Sequence, residues 1–309
     1  MTCPACGGEL SPWREAVPAE PAGAPAVRLD RCRRCGTAVT TTPSPPDVHD
    51  TGAYGGGRPR LSRAAAPLLA AFDRRRLALI GRPGARLLDV GAGRGRFVAA
   101  ARAAGYPAEG IEPSLRGVAA ARDEYGVALR PEDLTRAHVA PASVEAISLW
   151  HVLEHLDDPG SALATLAGWL EPGGVILVGT PNLASLQARI GGARWYHLDV
   201  PRHRTHFTVR GLELALVRAG LEPVATTHVL AEQNPFGMWQ SIVSRVTRQP
   251  SYLYNLLKRN APLMSTDLPI TVAGLALLPA AALLELAAGL AGRGGTVAVL
   301  ARRPPLTGG

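Results

Sequence analysis

Lysine is nearly absent: Lys258 stands alone, and every other one of the 33 basic side chains is arginine. The formal charge of +8 would ordinarily raise nucleic acid or an anionic membrane as partners. With 34 glycines and 27 prolines beside the arginine bias, that charge reflects GC-rich coding as much as selection for polyanions, and alone it decides nothing. The opening MTCPACGGEL lacks the positive-then-apolar pattern of a secretory leader, so the chain is expected in the cytosol. Disulfides are excluded by the same expectation, because cytosolic thiols stay reduced. No internal repeat is visible, and 309 residues suit one large domain plus something small.

The four cysteines fall in two pairs, Cys3-Pro-Ala-Cys6-Gly and Cys32-Arg-Arg-Cys35-Gly. Each pair is a knuckle, two thiols on a tight turn relaxed by the following glycine. Two knuckles supply four sulfurs in the tetrahedral geometry that suits a structural Zn²⁺, so Cys3, Cys6, Cys32 and Cys35 are the expected metal ligands. The stretch between them, read as a loop, has one aromatic residue and mixed charge, a poor surface for stacking bases. A structural or substrate-gating role is favoured over nucleic-acid binding. The expected division is a zinc-ribbon module over 1–42, a Thr-, Pro- and Gly-rich linker over 43–60 and an α/β core over 61–230. An apolar and basic helical insertion over 231–294 and a final strand over 295–303 complete it.

From residue 86 strand-like and helix-like segments alternate. Strands are expected at 86–90, 108–112, 127–129, 146–150 and 175–179, with helices at 61–80, 97–104, 115–124, 162–170 and 212–219. That rhythm predicts a Rossmann-like parallel sheet covered on both faces, with ligands at the carboxyl ends of its strands. The first strand runs into RLLDVGAGRGRF, whose glycines are Gly91, Gly93 and Gly95. A dinucleotide fingerprint needs its third glycine where Arg96 stands. Asp89 at the strand end would repel a pyrophosphate but suit a ligand carrying an ammonium and a sulfonium. Glu112, closing the second strand, can accept from both hydroxyls of a ribose.

LLDVGAGRG, GIEPS, PEDL, LWHVLEHLDDP, LEPGG and VGTPN together resemble the class I S-adenosylmethionine-dependent methyltransferases, over roughly residues 77–302. The resemblance implies that Asp89, Gly91, Ala92, Gly93 and Gly95 hold the methionine end of S-adenosylmethionine and Glu112 its ribose. It implies contacts from Asp133 and Leu134 to the adenine, although Asp133 could instead cap a helix. Ala92 replaces a frequent cysteine, and Glu145 stands where aspartate is common.

Methyl transfer needs an in-line approach and often a base for the acceptor proton. His151, Glu154 and His155 follow the fourth strand at i, i+3 and i+4, a spacing that would share one helical face. The second candidate cluster is WYHLDVPRHRTHFT, 195–208, a segment expected to loop over the active edge. It resembles a run found in bacterial methyltransferases of glycan and secondary-metabolite pathways. His203 and His206 are the first choices of base, with His151 and His155 behind them.

Residues 268–292 are apolar with Glu285 their single charge, long enough to span a bilayer. Pro279 interrupts them and a strand-like GGTVAVLARR follows, so two short helices, about 270–278 and 280–290, are expected instead. Arg245, Arg248, Lys258 and Arg259 alternate upstream with Trp239, Tyr252 and Tyr254, as in a peripheral anchor on the inner face of the cytoplasmic membrane. The alternative is a lid or dimer contact. The leading expectation is a methyltransferase for a small-molecule, glycan or lipid-linked acceptor. An RNA methyltransferase using the ribbon is the alternative, disfavoured because no Asn-Pro-Pro-Tyr-like motif follows strand four. A cofactor-binding scaffold without activity is the third.

Overall fold

The computed structural model describes residues 2–21, 23–43, 65–263 and 265–305. Apart from residue 43, the expected linker lies outside them, as do residues 61–64 of the helix after it. The chain divides into two compact units. One comprises Met1–Ala66, Pro181–Gly211 and Thr227–Val297; the other comprises Pro67–Thr180, Leu212–Thr226 and Ala298–Gly309.

The stretch between the knuckles is a hairpin rather than the expected loop. Strand β1 (Leu10–Ala16) pairs antiparallel with β2 (Val27–Cys32), and β2 with β3 (Ala38–Thr40). Val27 and Leu29 turn inward while Arg28 stays exposed, a period-2 pattern too short to stand out among the surrounding prolines and alanines. Helix α1 (Ala66–Ile80) buries Asp73, Arg76, Leu77 and Ile80, a helical stripe with two charges in it.

The alternation then proceeds much as expected: β4 (Leu87–Val90), α2 (Arg96–Ala103), β5 (Ala108–Ile111), α3 (Leu115–Tyr125), β6 (Val144–Trp150), α4 (Pro159–Trp169) and β7 (Leu170–Pro181). Local chemistry sets the boundaries. Ser114 caps α3 by accepting from Gly117 N, and Gly126 ends it at φ +65°. Asp158 caps α4 with proline in its first turn. The expected third strand at 127–129 does not form: among the described residues the segment makes a single parallel bridge, Ile111 to Arg130. Val127 and Leu129 are buried, so their apolarity marks core packing without a ladder.

The remaining elements are α5 (Leu186–Gly191), β8 (Thr205–His206), α6 (Val209–Arg218), β9 (Glu222–Thr227), α7 (Asn234–Val243), α8 (Tyr252–Leu257), α9 (Asp267–Gly274), α10 (Leu278–Leu290) and β10 (Thr296–Arg302). Six strands form one sheet in the order β5-β4-β6-β7-β10-β9, with β4 parallel to β5 and β6, and β6 parallel to β7. A second sheet has the order β1-β2-β3-β8.

The two helices expected in the apolar stretch are present with shifted bounds, but no break separates them. Helices α9 and α10 are joined by a single tight turn, Leu275–Leu277, into one helical run, Asp267–Leu290. Pro279 does not break it, because it falls in the first turn of α10, where Leu278 N already donates to Leu275 O and no amide is needed from position 279.

Candidate functional site

The glycine loop between β4 and α2 has a distinct physical requirement at each glycine. Gly91, Gly93 and Gly95 have φ of +70°, +56° and +75°, the left-handed region. A Cβ on Gly91 would collide with Val152 Cγ2, and one on Gly95 would lie 2.7 Å from Ala121 Cβ. A Cβ on Gly93 would meet nothing within 4 Å. The outer glycines therefore serve close packing, and the middle one keeps the loop's open side clear. Gly93 N donates to Glu112 Oε2 at 2.7 Å, and Ser114 N donates to Oε1 at 2.9 Å. The acid expected to hold a ribose is thus fixed on the lip of the loop expected to hold the methionine end. A carboxylate offers about four acceptor sites, so two backbone amides leave it suited to a diol as well. The clear space at Gly93 and the fixed Glu112 fit S-adenosylmethionine.

Two crossed ion pairs brace this loop, and sequence reading missed them. Arg76 Nη2 lies 2.6 Å from Asp89 Oδ1, and Arg96 Nη1 lies 2.8 Å from Asp73 Oδ2. Arg76 is 7% and Asp89 2% exposed. Arg76 Nε also donates to Ser148 Oγ at 2.9 Å, and its guanidinium sits 3.8 Å from the Phe97 ring centre. Burial pushes the Asp89 carboxyl up, and the Arg76 charge opposes that push. The basic cluster ending α1 hid a specific partner. The available signal was a pair of opposite charges three residues apart on a buried helical stripe, matched by Asp89 and Arg96 around the loop.

Asp133 accepts from Thr135 N at 2.8 Å and Arg136 N at 3.0 Å, which holds its carboxyl below the usual range, the Thr135 hydroxyl contributing most. It closes a turn, with Leu134 half-buried inside that turn. Ala92 is buried, and its N, like Gly91 N, donates to Ile111 O.

His151 follows β6 with φ +55°, an uncommon conformation outside glycine, and its N donates to Gly179 O. The expected shared helical face does not form, because only the single tight turn Leu153–His155 follows. Instead Glu154, 1% exposed, turns back so that Oε1 accepts from His151 Nδ1 at 2.9 Å, while Oε2 accepts from Thr180 Oγ1 at 3.2 Å. The carboxylate therefore places the His151 proton on Nδ1 and the ring lone pair on Nε2, the orienting logic of a His–carboxylate pair. His155 is half-buried, and its N donates to Val152 O.

In the other unit, the segment expected to loop over the active edge is almost wholly buried, including His197, Arg202, His203 and His206. His203 Nδ1 donates to His197 O at 2.8 Å, which leaves its lone pair on Nε2. His206 Nε2 lies 2.9 Å from Thr40 Oγ1, and the His203 and His206 rings are 6.3 Å apart. Arg202 Nη1 lies 3.0 Å from Asp199 Oδ1, and Arg202 is also ion-paired with Glu20.

The four cysteines are buried, unbridged and within 4.8 Å of one another at sulfur. Cys3 and Cys35 sulfurs are 3.6 Å apart, and those of Cys6 and Cys32 3.5 Å. A tetrahedron with Zn–S about 2.3 Å has sulfur edges of about 3.8 Å, so the cluster fits zinc. The hydrogen bond from Cys3 holds the Cys35 thiol down. Both knuckles share one geometry: Gly7 N donates to Cys3 O and Gly36 N to Cys32 O.

The helical run 267–290 is inverted relative to an ordinary surface helix. Its charged and hydroxylated residues, Asp267, Thr271 and Glu285, are buried, while Val272, Leu275, Leu277, Leu283, Leu286 and Leu290 are exposed. Glu285 accepts from Gly295 N at 2.7 Å and from Gln187 Nε2 at 3.1 Å, and burial raises its carboxyl to about 7. Ala281 packs with Met238, Trp239 and Val243, so one face of the run is built into the protein. It is the helix among the described residues long and apolar enough to cross a membrane by length and composition.

Comparison with known proteins gives consistent findings. A family described as a methyltransferase domain matches residues 62–226, over half of the chain. A ubiquinone biosynthesis O-methyltransferase from Caulobacter vibrioides is 32% identical over 191 residues, 58% of this chain and 72% of that protein. A protein of the same name from Ralstonia nicotianae is 30% identical over 152 residues, 45% of this chain and 64% of its own. Among solved structures, the cyclase SpnF has a TM-score of 0.51 at 21% identity, covering 81% of this chain and 85% of its own. That likeness shows the fold alone, since chemistry belongs to the site grafted onto a fold.

Proposed function

The chain belongs to the S-adenosylmethionine-dependent methyltransferases, and from that premise we propose that it methylates an oxygen on a small, apolar acceptor collected at a lipid surface. The observation that carries the lipid surface is the inverted helical run 267–290, whose outward leucines form a face that water disfavours. Exposed Arg245, Arg248 and Arg259 in the preceding segment suit the anionic inner face of the cytoplasmic membrane. The run lies on that surface and does not cross it, because Glu285 and Ala281 are committed to contacts within the protein. Oxygen as the methylated atom is carried over from the relatives' printed names.

S-adenosylmethionine supplies an electrophilic methyl carbon when bound. Glu112, the Gly91–Gly95 backbone and the Asp133–Leu134 turn would hold it, with Asp89 acting through its Arg76 pair. His151, oriented by Glu154, and His203 and His206 are the candidate groups to take the acceptor proton. Cys3, Cys6, Cys32 and Cys35 would hold a structural Zn²⁺. For an RNA acceptor, the ribbon offers Trp13, already stacked beneath Arg14 at 3.7 Å and Arg31 at 4.8 Å.

Burying one leucine side chain contributes about 1.5–3 kcal/mol, so L283S/L290S should weaken binding to phosphatidylglycerol vesicles at least about 10-fold. Equal flotation of wild type and variant would remove the lipid surface from the function. Methyl transfer to a long-chain alkyl catechol in those vesicles should exceed transfer to catechol in solution; equal rates would remove the preference for an apolar acceptor.

A further inference from the structure

The cysteine module and the His203–His206 segment are one built structure. Strand β3, which follows the second knuckle, pairs antiparallel with β8: Ala38 faces His206 and Val39 faces Thr205. Thr208 Oγ1 donates to Cys35 O at 2.7 Å, and Thr40 N donates to Arg204 O at 3.0 Å. Val27, Leu29 and Ala38 share a core with Trp195, Leu198 and Val200. A module too small for a core of its own thus borrows one from the segment bearing two candidate bases.

Thr40, 1% exposed, sits at the centre of this seam. Its Oγ1 lies 2.6 Å from His203 O and 2.9 Å from His206 Nε2. A carbonyl oxygen only accepts, so the single hydroxyl proton of Thr40 goes to His203 O. The Thr40 oxygen must then accept from the imidazole. His206 accordingly carries a proton on Nε2, and its lone pair belongs to Nδ1.

We propose that Thr40 is a positioning residue for His206: through it, the cysteine module sets the tautomer and ring orientation of a candidate base, making Nδ1 the basic nitrogen. The inference rests on the reading of His206 as the group that takes the acceptor proton. In that role His206 Nδ1 would take the proton that the acceptor hydroxyl loses and, as the imidazolium, pass it to water, while S-adenosylmethionine, when bound, would supply the methyl carbon and keep the electron pair of the carbon–sulfur bond on its sulfur. Valine at position 40 keeps the shape of threonine but removes both hydrogen-bonding roles, whereas serine keeps them.

Long-range proton–nitrogen NMR spectra of the zinc-supplemented 309-residue chain identify the protonated ring nitrogen of His206 in wild type, T40V and T40S. The expected result is a proton on Nε2 in wild type and T40S, and mixed or Nδ1 protonation in T40V. Methyl transfer to the alkyl catechol should fall about 10- to 100-fold in T40V, with KM for S-adenosylmethionine within about twofold and with T40S near wild type. If the proton moves in T40V while transfer is unchanged, the positioning stands and the reading of His206 as the base fails. A wild-type His206 protonated on Nδ1, or a T40V ring identical to wild type, overturns the proposal. The wild-type spectrum decides this even if T40V does not fold, and without requiring that the catechol be an acceptor.

Discussion

Replacing Arg76 by methionine should cost about 3–5 kcal/mol of folding stability, the range for breaking a buried ion pair by removing one partner. The pair qualifies because Nη2 and Oδ1 are 2.6 Å apart, with Arg76 7% and Asp89 2% exposed. Methionine retains apolar packing against Phe97 but leaves the Asp89 carboxylate without its guanidinium. Burial already pushes that carboxyl up, and losing Arg76 pushes it further. A carboxyl raised in the fold contributes stability that is complete below its unfolded value and lost as pH rises through its folded value. The R76M deficit should therefore grow with pH through the raised Asp89 range. D89N alone strands the guanidinium, whereas R76M/D89N removes both charges, so the two singles should overstate the double by about 2 kcal/mol or more. Urea unfolding followed by tryptophan fluorescence gives all three values, and calorimetric titration with S-adenosylmethionine in the same variants separates binding from folding. An R76M cost below about 1 kcal/mol, or singles that add within about 0.5 kcal/mol, would refute the coupled pair.

The glycine loop gives a contrast within three residues. G95A should destabilise the fold by more than about 1 kcal/mol, because its Cβ would lie 2.7 Å from Ala121 Cβ. G93A should cost less stability but weaken S-adenosylmethionine binding at least about 10-fold, since its methyl enters the clear side of the loop; calorimetry showing equal affinity in both variants contradicts this. Glu285, raised to about 7 from an ordinary 4.5, contributes stability that is complete below 4.5 and lost as pH rises through 7. E285Q has no proton to lose, so its stability relative to wild type should rise by up to about 3 kcal/mol from about pH 5 to about pH 8. A pH-independent difference in urea midpoints would overturn that assignment. Thiol titration in the presence of a metallochromic dye should release about one zinc per chain, C32S should release almost none, and both should lower the melting temperature; release of no metal from wild type removes the zinc assignment.

Elements with strong local signals were legible in the chain. The alternation around Leu87–Val90 and Ala108–Ile111 reports burial on both sheet faces, a repeating cause with a repeating trace. Val127 and Leu129 misled, because the same apolarity serves a core position with or without a ladder. Pro279 misled in the opposite direction, since its effect depends on whether it falls in a first turn or an interior one. The segment 195–208 was legible as a cluster of special residues but not as a buried one, because its burial comes from partners more than 150 positions away, such as Thr40 for His203.

The amino-acid sequence alone determined the glycine loop and the grouping of the four cysteines. Both depend on residues close along the chain: left-handed glycines spaced by one, and thiols spaced by two ahead of a glycine. Arg76 against Asp89, Glu154 against His151, and Thr40 against His206 were decided by folding. Each is an oriented hydrogen bond or ion pair, and its strength rests on angstrom-scale distances and on the removal of water, neither of which is encoded in local spacing. The outward face of the 267–290 run belongs to the same class. Its apolarity was plain in the residues, but which side it turned to solvent depended on Glu285 finding Gly295 and Gln187 within the protein.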